Sequence, residues 1–524
     1  MEINLKNKNE LLSRSSGLLL HISSLPGKYG IGTMGQEAFD FIDFLEKSGQ
    51  TYWQILPTTP TLSQFGFSPY SSYSSFAGDP LLISVEEILK KKWADDELKD
   101  FLPKERNDDF INFSGVEDFK YDFLKNAYEC FFKNGNEEEK VEFKKFKKNE
   151  AYWLDDFSLF VSLAKETGTF YWVKWKRKVR ERDFDELNRL RGKLREEIEY
   201  WKFTQFLFFS QWTELLKKAK ESGVSIIGDI PIYVNFDSAD TWSNQEIFQL
   251  NEETLKAEKV SGVPPDYFSK NGQKWGNPLY KWFAKEKKGL NEETFIWWKK
   301  RVSHLLKMVD IIRIDHFRGF EAYWAVPIRA KTAIKGKWMN GPGMEFFLRL
   351  EKELGKLPLI AEDLGIITKG VEELRVNLNL PGMKILQFAF DFNPKNIYLP
   401  GNFEDKNCIV YTGTHDNNTT NGWFYGKEID DNTRNYILEY IGADNWDEFH
   451  WKFIRLAMSS TSVLSIIPVQ DVLGFSEEFR MNTPGESKKN WRWKLADKKL
   501  ESFHSDRLFK LTKTFNRLPD GDKK

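Results

Sequence analysis

Short aliphatic and β-branched runs alternate along this chain with stretches whose apolar positions recur every three to four residues. Eight such runs, at 17–22, 52–56, 225–230, 309–314, 357–361, 383–389, 408–411 and 463–468, are bounded by turn residues and predict strands. Few polar residues interrupt them, which fits parallel strands covered on both faces. Amphipathic stretches at 36–47, 200–221, 294–308, 344–354, 369–378 and 446–458 predict helices between them. This alternation argues for an α/β fold closed as a (β/α)8 TIM barrel.

Two intervals are too long for a simple strand–helix unit. Residues 58–199 follow the second strand; their middle is dense in Lys, Glu and Asp with scattered Phe, Trp and Leu, predicting an inserted helical subdomain on the rim. Residues 231–288 follow the third strand and predict a second inserted loop or subdomain. Long insertions at a functional rim build substrate clefts. No linker, repeat or heptad run divides the chain. Residues 1–524 therefore read as one catalytic barrel unit without a separate C-terminal β-domain.

Composition narrows the function. The 77 basic and 78 acidic residues leave a net charge of −1, which gives no global pull toward nucleic acid or a membrane surface. Two cysteines, Cys130 and Cys408, make no disulfide framework and fit a reducing cytoplasm. The polar start of the chain predicts no signal peptide, and no run approaches the ~20 apolar residues of a membrane span. Aromatic residues reach 15%, with 19 Trp, and indole faces suit the C–H faces of sugar rings.

Candidate chemistry sits at three strand ends. Asp315 follows Arg313 and Ile314, Glu362 follows Ile360 and Ala361, and Asp416 follows the polar run 412–415. A parallel barrel brings such ends to one rim, so acids distant in sequence share a pocket. Neighbouring carboxylates resist joint ionisation. One stays protonated as an acid while another attacks or stabilises a cation, which is what glycosidic bond cleavage demands. The strand period puts Arg313 on the face of Asp315, where its charge lowers the carboxyl pKa and keeps a nucleophile ionised. A structural ion pair reads equally well from these two residues alone. Glu362 and Asp363 point to opposite sides, so one reaches the pocket while the other caps the next loop or helix. Glu362 reaches further and suits a general acid, and a helix-capping pair reads equally well from these two residues alone. His415 and Asp416 are metal-ligand types, but no short ligand spacing accompanies them, and no metal is expected. His21 reads either as a satisfied rim histidine or as a substrate contact.

These residues stand inside longer motifs. They are Gly17 to Pro26, Ser68-Pro69-Tyr70, Gly228 to Val234, Gly262 to Phe268, Gly272 to Pro278, Arg313 to Gly319, Ala361 to Gly365, Gly413 to Asn417 and Arg480 to Gly485. In this order they resemble the 4-α-glucanotransferases of the amylomaltase, or disproportionating enzyme, type (glycoside hydrolase family 77). The resemblance implies a retaining double displacement. Asp315 would be the nucleophile, Glu362 the acid and then the base, and Asp416 would bind and distort the sugar ring beside His415. It further implies that Arg313 orients Asp315 and that Tyr70 and Asp229 line the donor sugar's site. A loop bearing Asp266, Tyr267, Gln273 and Trp275 would cover the cleft, with Trp275 stacking on an acceptor-side glucose. Implied donors are α-1,4-glucans and maltooligosaccharides; implied acceptors are glucose or maltooligosaccharides. No cofactor, nucleic acid or membrane is implied. Phe65 and Phe67 depart from the family's pattern near the donor-side loop.

Three other readings remain open at this stage. An α-glucan hydrolase would use the same acids and differ only in letting water take the acceptor's place. A catalytically silent glucan-binding protein and a metal-dependent sugar isomerase belong to other classes.

Overall fold

The structure, a computed structural model, describes residues 12–105, 107–265, 269–284, 289–486, 489–496 and 499–519. Eight strands lie in one sheet: β1 (Ser15–Leu19), β2 (Tyr52–Gln54), β3 (Ser225–Pro231), β4 (Ile311–Asp315), β5 (Leu359–Ala361), β6 (Gly382–Ile385), β7 (Cys408–Tyr411) and β8 (Leu464–Pro468). All their pairings are parallel, and β1 pairs with both β2 and β8. The Ala361 amide donates to the Pro381 carbonyl at 3.0 Å, bringing β5 round to the edge of β6. The sheet is the (β/α)8 barrel that the alternation predicts.

Side chains branched at Cβ fill the barrel wall because they are stiff and pack well on a pleated surface. Ile227, Ile312, Ile360, Ile409, Val410, Ile466 and Ile467 are fully shielded from solvent. Each such side chain contributes about 1.5–3 kcal/mol by leaving water. Close approach is enforced where β1 meets β2: a Cβ on Gly17 would lie 2.3 Å from the Tyr52 carbonyl oxygen. Only glycine fits there.

Helices form where the apolar stripe and the caps agree. Gln36–Lys47 coincides with its predicted span, burying Ala38, Phe41, Ile42 and Leu45 along one face. Glu292–Leu305 begins two residues early because the Asn291 side chain accepts a hydrogen bond from the Thr294 amide. After β2 come the helices Phe113–Asn134, Glu137–Asn149, Ala151–Thr167 and Arg195–Glu221. Phe131, Phe143, Phe203 and Phe206 meet between them, which accounts for part of the phenylalanine content. Among the described residues, no helix is long and apolar enough to cross a membrane.

Two features differ from the sequence reading. The run at 383–389 stops being a strand at Ile385 and becomes a 3₁₀ turn, Leu386–Phe388, where the Gln387 side chain donates to the Asn418 carbonyl. A four-stranded antiparallel sheet also stands on the rim, in the order Gln273–Pro278, Lys259–Val263, Ala322–Pro327, Lys337–Asn340. Half of it comes from the segment after β3 and half from the segment after β4. Its pairing partners are distant in sequence, and its strands carry no clear period.

Candidate active site

Strand register assembles the charged centre. Asp229 of β3 lies opposite Arg313 of β4, and Ile314 lies opposite Ala361 of β5. One step further along, Asp315 and Glu362 leave neighbouring strands on the same rim. Arg313 Nη1 donates to Asp229 Oδ2 at 2.6 Å and to Asp315 Oδ1 at 3.2 Å. The Tyr70 hydroxyl donates to the same Asp229 oxygen at 2.8 Å. Arg313 and Asp229 are sealed from solvent, whereas Asp315 keeps 29% of its side chain accessible.

Crowding three carboxyls around one guanidinium sets their protonation. Burial pushes Asp229 up to about 7, against the pull of Arg313 and with the repulsion of Asp315. Glu362 rises to about 8, first through burial and then through Asp315, with Arg313 opposing. Asp315 is raised as well, which corrects the expectation that its arginine would hold it low. Burial outweighs the guanidinium, whose shorter bond goes to Asp229. Burial also works against the Arg313 charge, but Asp229 and Asp315 outweigh it and the guanidinium is held firmly protonated.

Glu362 is fixed by backbone. The His316 amide donates to Oε2 at 2.7 Å and the Leu364 amide to Oε1 at 3.0 Å. Asp363 turns the other way, as the strand period requires. Instead of capping the next helix at its start, it accepts from the Met383 amide at 2.7 Å and pairs with Arg375 at 3.2 Å. It thereby ties β5 to β6 and to the helix Lys369–Asn377.

Asp416 stands across the cleft. Its Oδ1 accepts from Asn482 Nδ2 at 2.6 Å, its Oδ2 lies 3.4 Å from His415 Nε2, and its carbonyl accepts from Arg480 Nη2 at 2.6 Å. His415 stacks on Tyr70 with centroids 5.2 Å apart and packs near Trp491. Burial lowers the His415 pKa, favouring the neutral ring beside Asp416. His21 lies in the same corner, driven to about 3 by burial and by His415, and its Nδ1 has no hydrogen-bond partner among the described residues.

The structure thus gathers Tyr70, Asp229, Arg313, Asp315, Glu362, His415 and Asp416 in one electrostatically coupled cluster. Gln273 and Trp275 belong to the rim sheet, on a strand and not on a loop as the sequence suggested. Trp275 is 39% exposed, donates to Gln273 Oε1 at 3.1 Å and stands edge-on to His316 at 4.8 Å. Asp266 and Tyr267 fall outside the described residues. Asn482, Arg480 and the His316 amide were not anticipated as functional. Asn482 and Arg480 stood in a recognised motif, but nothing in their spacing revealed that they reach back to Asp416.

Comparison with known proteins identifies the family. The family described as 4-alpha-glucanotransferase matches residues 20–500. The 4-alpha-glucanotransferase of Clostridium butyricum is 43% identical over 503 residues, covering 95% of this chain and 100% of that protein. The one from Thermus thermophilus is 41% identical over 515 residues, covering 97% and 100%. The amylomaltase from Streptococcus agalactiae, solved in complex with acarbose, superposes with a TM-score of 0.91 at 35% identity, over 97% of this chain and 100% of that one. The chain belongs to the 4-alpha-glucanotransferase family.

Proposed function

We propose that this protein moves segments of α-1,4-glucan from a donor chain to an acceptor sugar by a retaining double displacement. The observation that carries the reading is the pairing of Asp315 and Glu362. The first is clasped by Arg313; the second is pushed up to about 8 and so holds its proton at neutral pH.

In the first half-reaction Asp315 attacks the anomeric carbon of the donor. The glycosidic C–O bond breaks, and Glu362 passes its proton to the departing oxygen. Arg313 occupies Asp315 Oδ1, which leaves the second oxygen to form the ester. Cleavage releases the reducing-end fragment and leaves a glycosyl-enzyme. In the second half-reaction Glu362, now a carboxylate, takes the proton of an acceptor hydroxyl. That oxygen displaces Asp315, restoring both groups. Tyr70 would line the donor sugar, backed by the sealed Asp229 that holds it and Arg313 in place, and Asp416 would bind and distort the sugar ring with neutral His415 beside it. Trp275 would stack on an acceptor-side glucose, with Gln273 bonded to it on the rim sheet.

Donors are α-1,4-glucans and maltooligosaccharides; acceptors are glucose or another maltooligosaccharide. The rim insertions serve the barrel as parts of one catalytic unit. The cysteines, buried and unpaired, are compatible with the cytoplasm. Incubation of the protein with maltotriose, followed by chromatography, tests the reading. Longer maltooligosaccharides together with glucose support transfer. Shorter sugars alone would make the protein a hydrolase, and an unchanged substrate would sink both.

A further inference from the structure

A second cavity, of about 230 Å³, opens where the helix Ala151–Thr167, the segment 239–247 and the helix Glu292–Leu305 meet. A single water needs only about 10–15 Å³ of such space, so a small molecule has room here. The catalytic cluster uses none of the residues that line it. Its floor is aromatic, with Trp153, Phe157 and Trp297 all more than nine-tenths buried. Polar groups stand around that floor: Asp240 is buried, Ser243 and Asn244 are half-buried, and Glu246, Glu293 and Lys300 are exposed at the mouth.

Trp297 gives the sharpest indication of a ligand. Its indole Nε1 is buried and has no hydrogen-bond partner among the described residues. A buried donor left unpaired costs free energy that an acceptor entering the cavity would recover. Asp240 supplies the opposite demand. Its Oδ2 accepts from the Ser75 amide at 2.7 Å, and burial lifts it only to about 6 against the pull of Arg301. Near neutral pH it is therefore a carboxylate that takes hydrogen bonds. The fitting ligand accepts from an N–H, donates to carboxylates and offers apolar faces to aromatic rings. A metal ion cannot accept, and among the described residues no group of three His, Cys, Asp or Glu could hold one. An alkyl chain would leave the carboxylates without donors. A pyranose meets all three demands, because each hydroxyl both donates and accepts and its C–H faces suit indole.

We propose that this cavity is a secondary binding site for one glucose unit, stacked on Trp153 and Trp297 and held by Asp240. It is separate from the catalytic cleft yet adjoins it. Phe76 lines both this cavity and the pocket that reaches Tyr70 and Asp229, and the Ser75 amide is tied to Asp240. An occupant would hold sugar close to the cleft without touching the reacting acids.

The test reads binding and not turnover, so its failure is distinct from failure of the transferase reading. Amide hydrogen exchange is followed in the Asp315→Asn protein, which leaves the sugar intact, with maltose, glucose or sorbitol added. Maltose should slow exchange in the segment 239–247 and the helix Glu292–Leu305; sorbitol, with hydroxyls but no ring, should not. Slowing by glucose as well supports a site for free sugar, and slowing by maltose alone supports a site for a chain end. Ser243→Leu, which puts an aliphatic branch into the cavity, should abolish the effect there and leave the slowing around Asn482 unchanged. Trp297→Phe removes the N–H and should raise the maltose concentration for half effect about fivefold, the worth of one neutral hydrogen bond. Should Ser243→Leu fail to fold, Trp297→Phe still decides. No slowing at these segments, equal slowing by sorbitol, slowing that survives Ser243→Leu, or an unmoved midpoint in Trp297→Phe each overturn the proposal.

Discussion

Arg313 gives its shorter hydrogen bond to Asp229, at 2.6 Å, and not to Asp315, at 3.2 Å. The guanidinium is therefore anchored in the barrel wall by one carboxylate and offered to the cleft for the other. Both anchored groups are sealed from water, and deleting one partner of such a pair costs about 3–5 kcal/mol because the other charge is stranded. Asp229→Ala should accordingly lower Tm by several degrees as well as activity. Asp229→Asn, which keeps the shape and a neutral acceptor, should fold better and still lose activity as Tyr70 and Arg313 lose their orientation. Calorimetry beside a maltotriose assay checks both; an unchanged Tm in Asp229→Ala would contradict the anchoring role.

The two reacting carboxyls should respond differently to isosteric replacement. Asp315→Asn removes the attacking oxygen and should abolish turnover with any donor. Glu362→Gln removes the proton donor and should cost about 10²–10⁴-fold with maltotriose. A maltosyl fluoride, whose leaving group needs no protonation, should restore its first step. Equal losses of the first step with both donors, read as release of the leaving group, would show that Glu362 is not the acid.

The raised pKa of Glu362 has consequences for both rate and stability. Activity should fall as pH rises through about 8, where the acid loses its proton. For stability the sign follows from proton uptake. Between the ordinary glutamate value near 4.5 and about 8, the folded protein holds a proton that the unfolded chain has released, so stability declines as pH rises through that window. Glu362→Gln removes the burdened group. Its Tm relative to the wild type should therefore rise between pH 5 and pH 8, offset throughout by the amide bond that its NH2 cannot accept. Parallel Tm–pH curves for the two proteins would contradict the assignment.

The barrel and its acids were legible because their signals are local. A run such as Ile311–Asp315 states its period, its burial and its charged end within five residues. The protonation of Asp315 was misjudged for the converse reason: sequence shows the neighbouring Arg313 but neither the burial that outweighs it nor Asp229, 84 positions away, which holds that arginine more closely. The rim sheet escaped notice because its strands pair across the β4 boundary, Lys259–Val263 with Ala322–Pro327. Trp275 consequently looked like a loop residue. The left-handed turn at His316 left no mark at all, since histidine carries no conformational signature comparable to glycine.

Asn482 provides the sharpest check on the donor side. Its amide donates to Asp416 Oδ1 at 2.6 Å, and its backbone N–H donates to the His415 carbonyl at 3.1 Å. Hydrogen bonds to a charged group contribute about 1.5–3 kcal/mol, so Asn482→Ala should lower kcat/KM roughly 10–100-fold. How that loss divides tells what Asp416 does. If Asp416 serves to distort the sugar ring, its grip strengthens as the ring flattens, and the loss falls on kcat. If Asp416 merely holds the donor, KM rises and kcat stays. The proposed role requires the first pattern, and initial rates over a range of maltotriose concentrations distinguish the two.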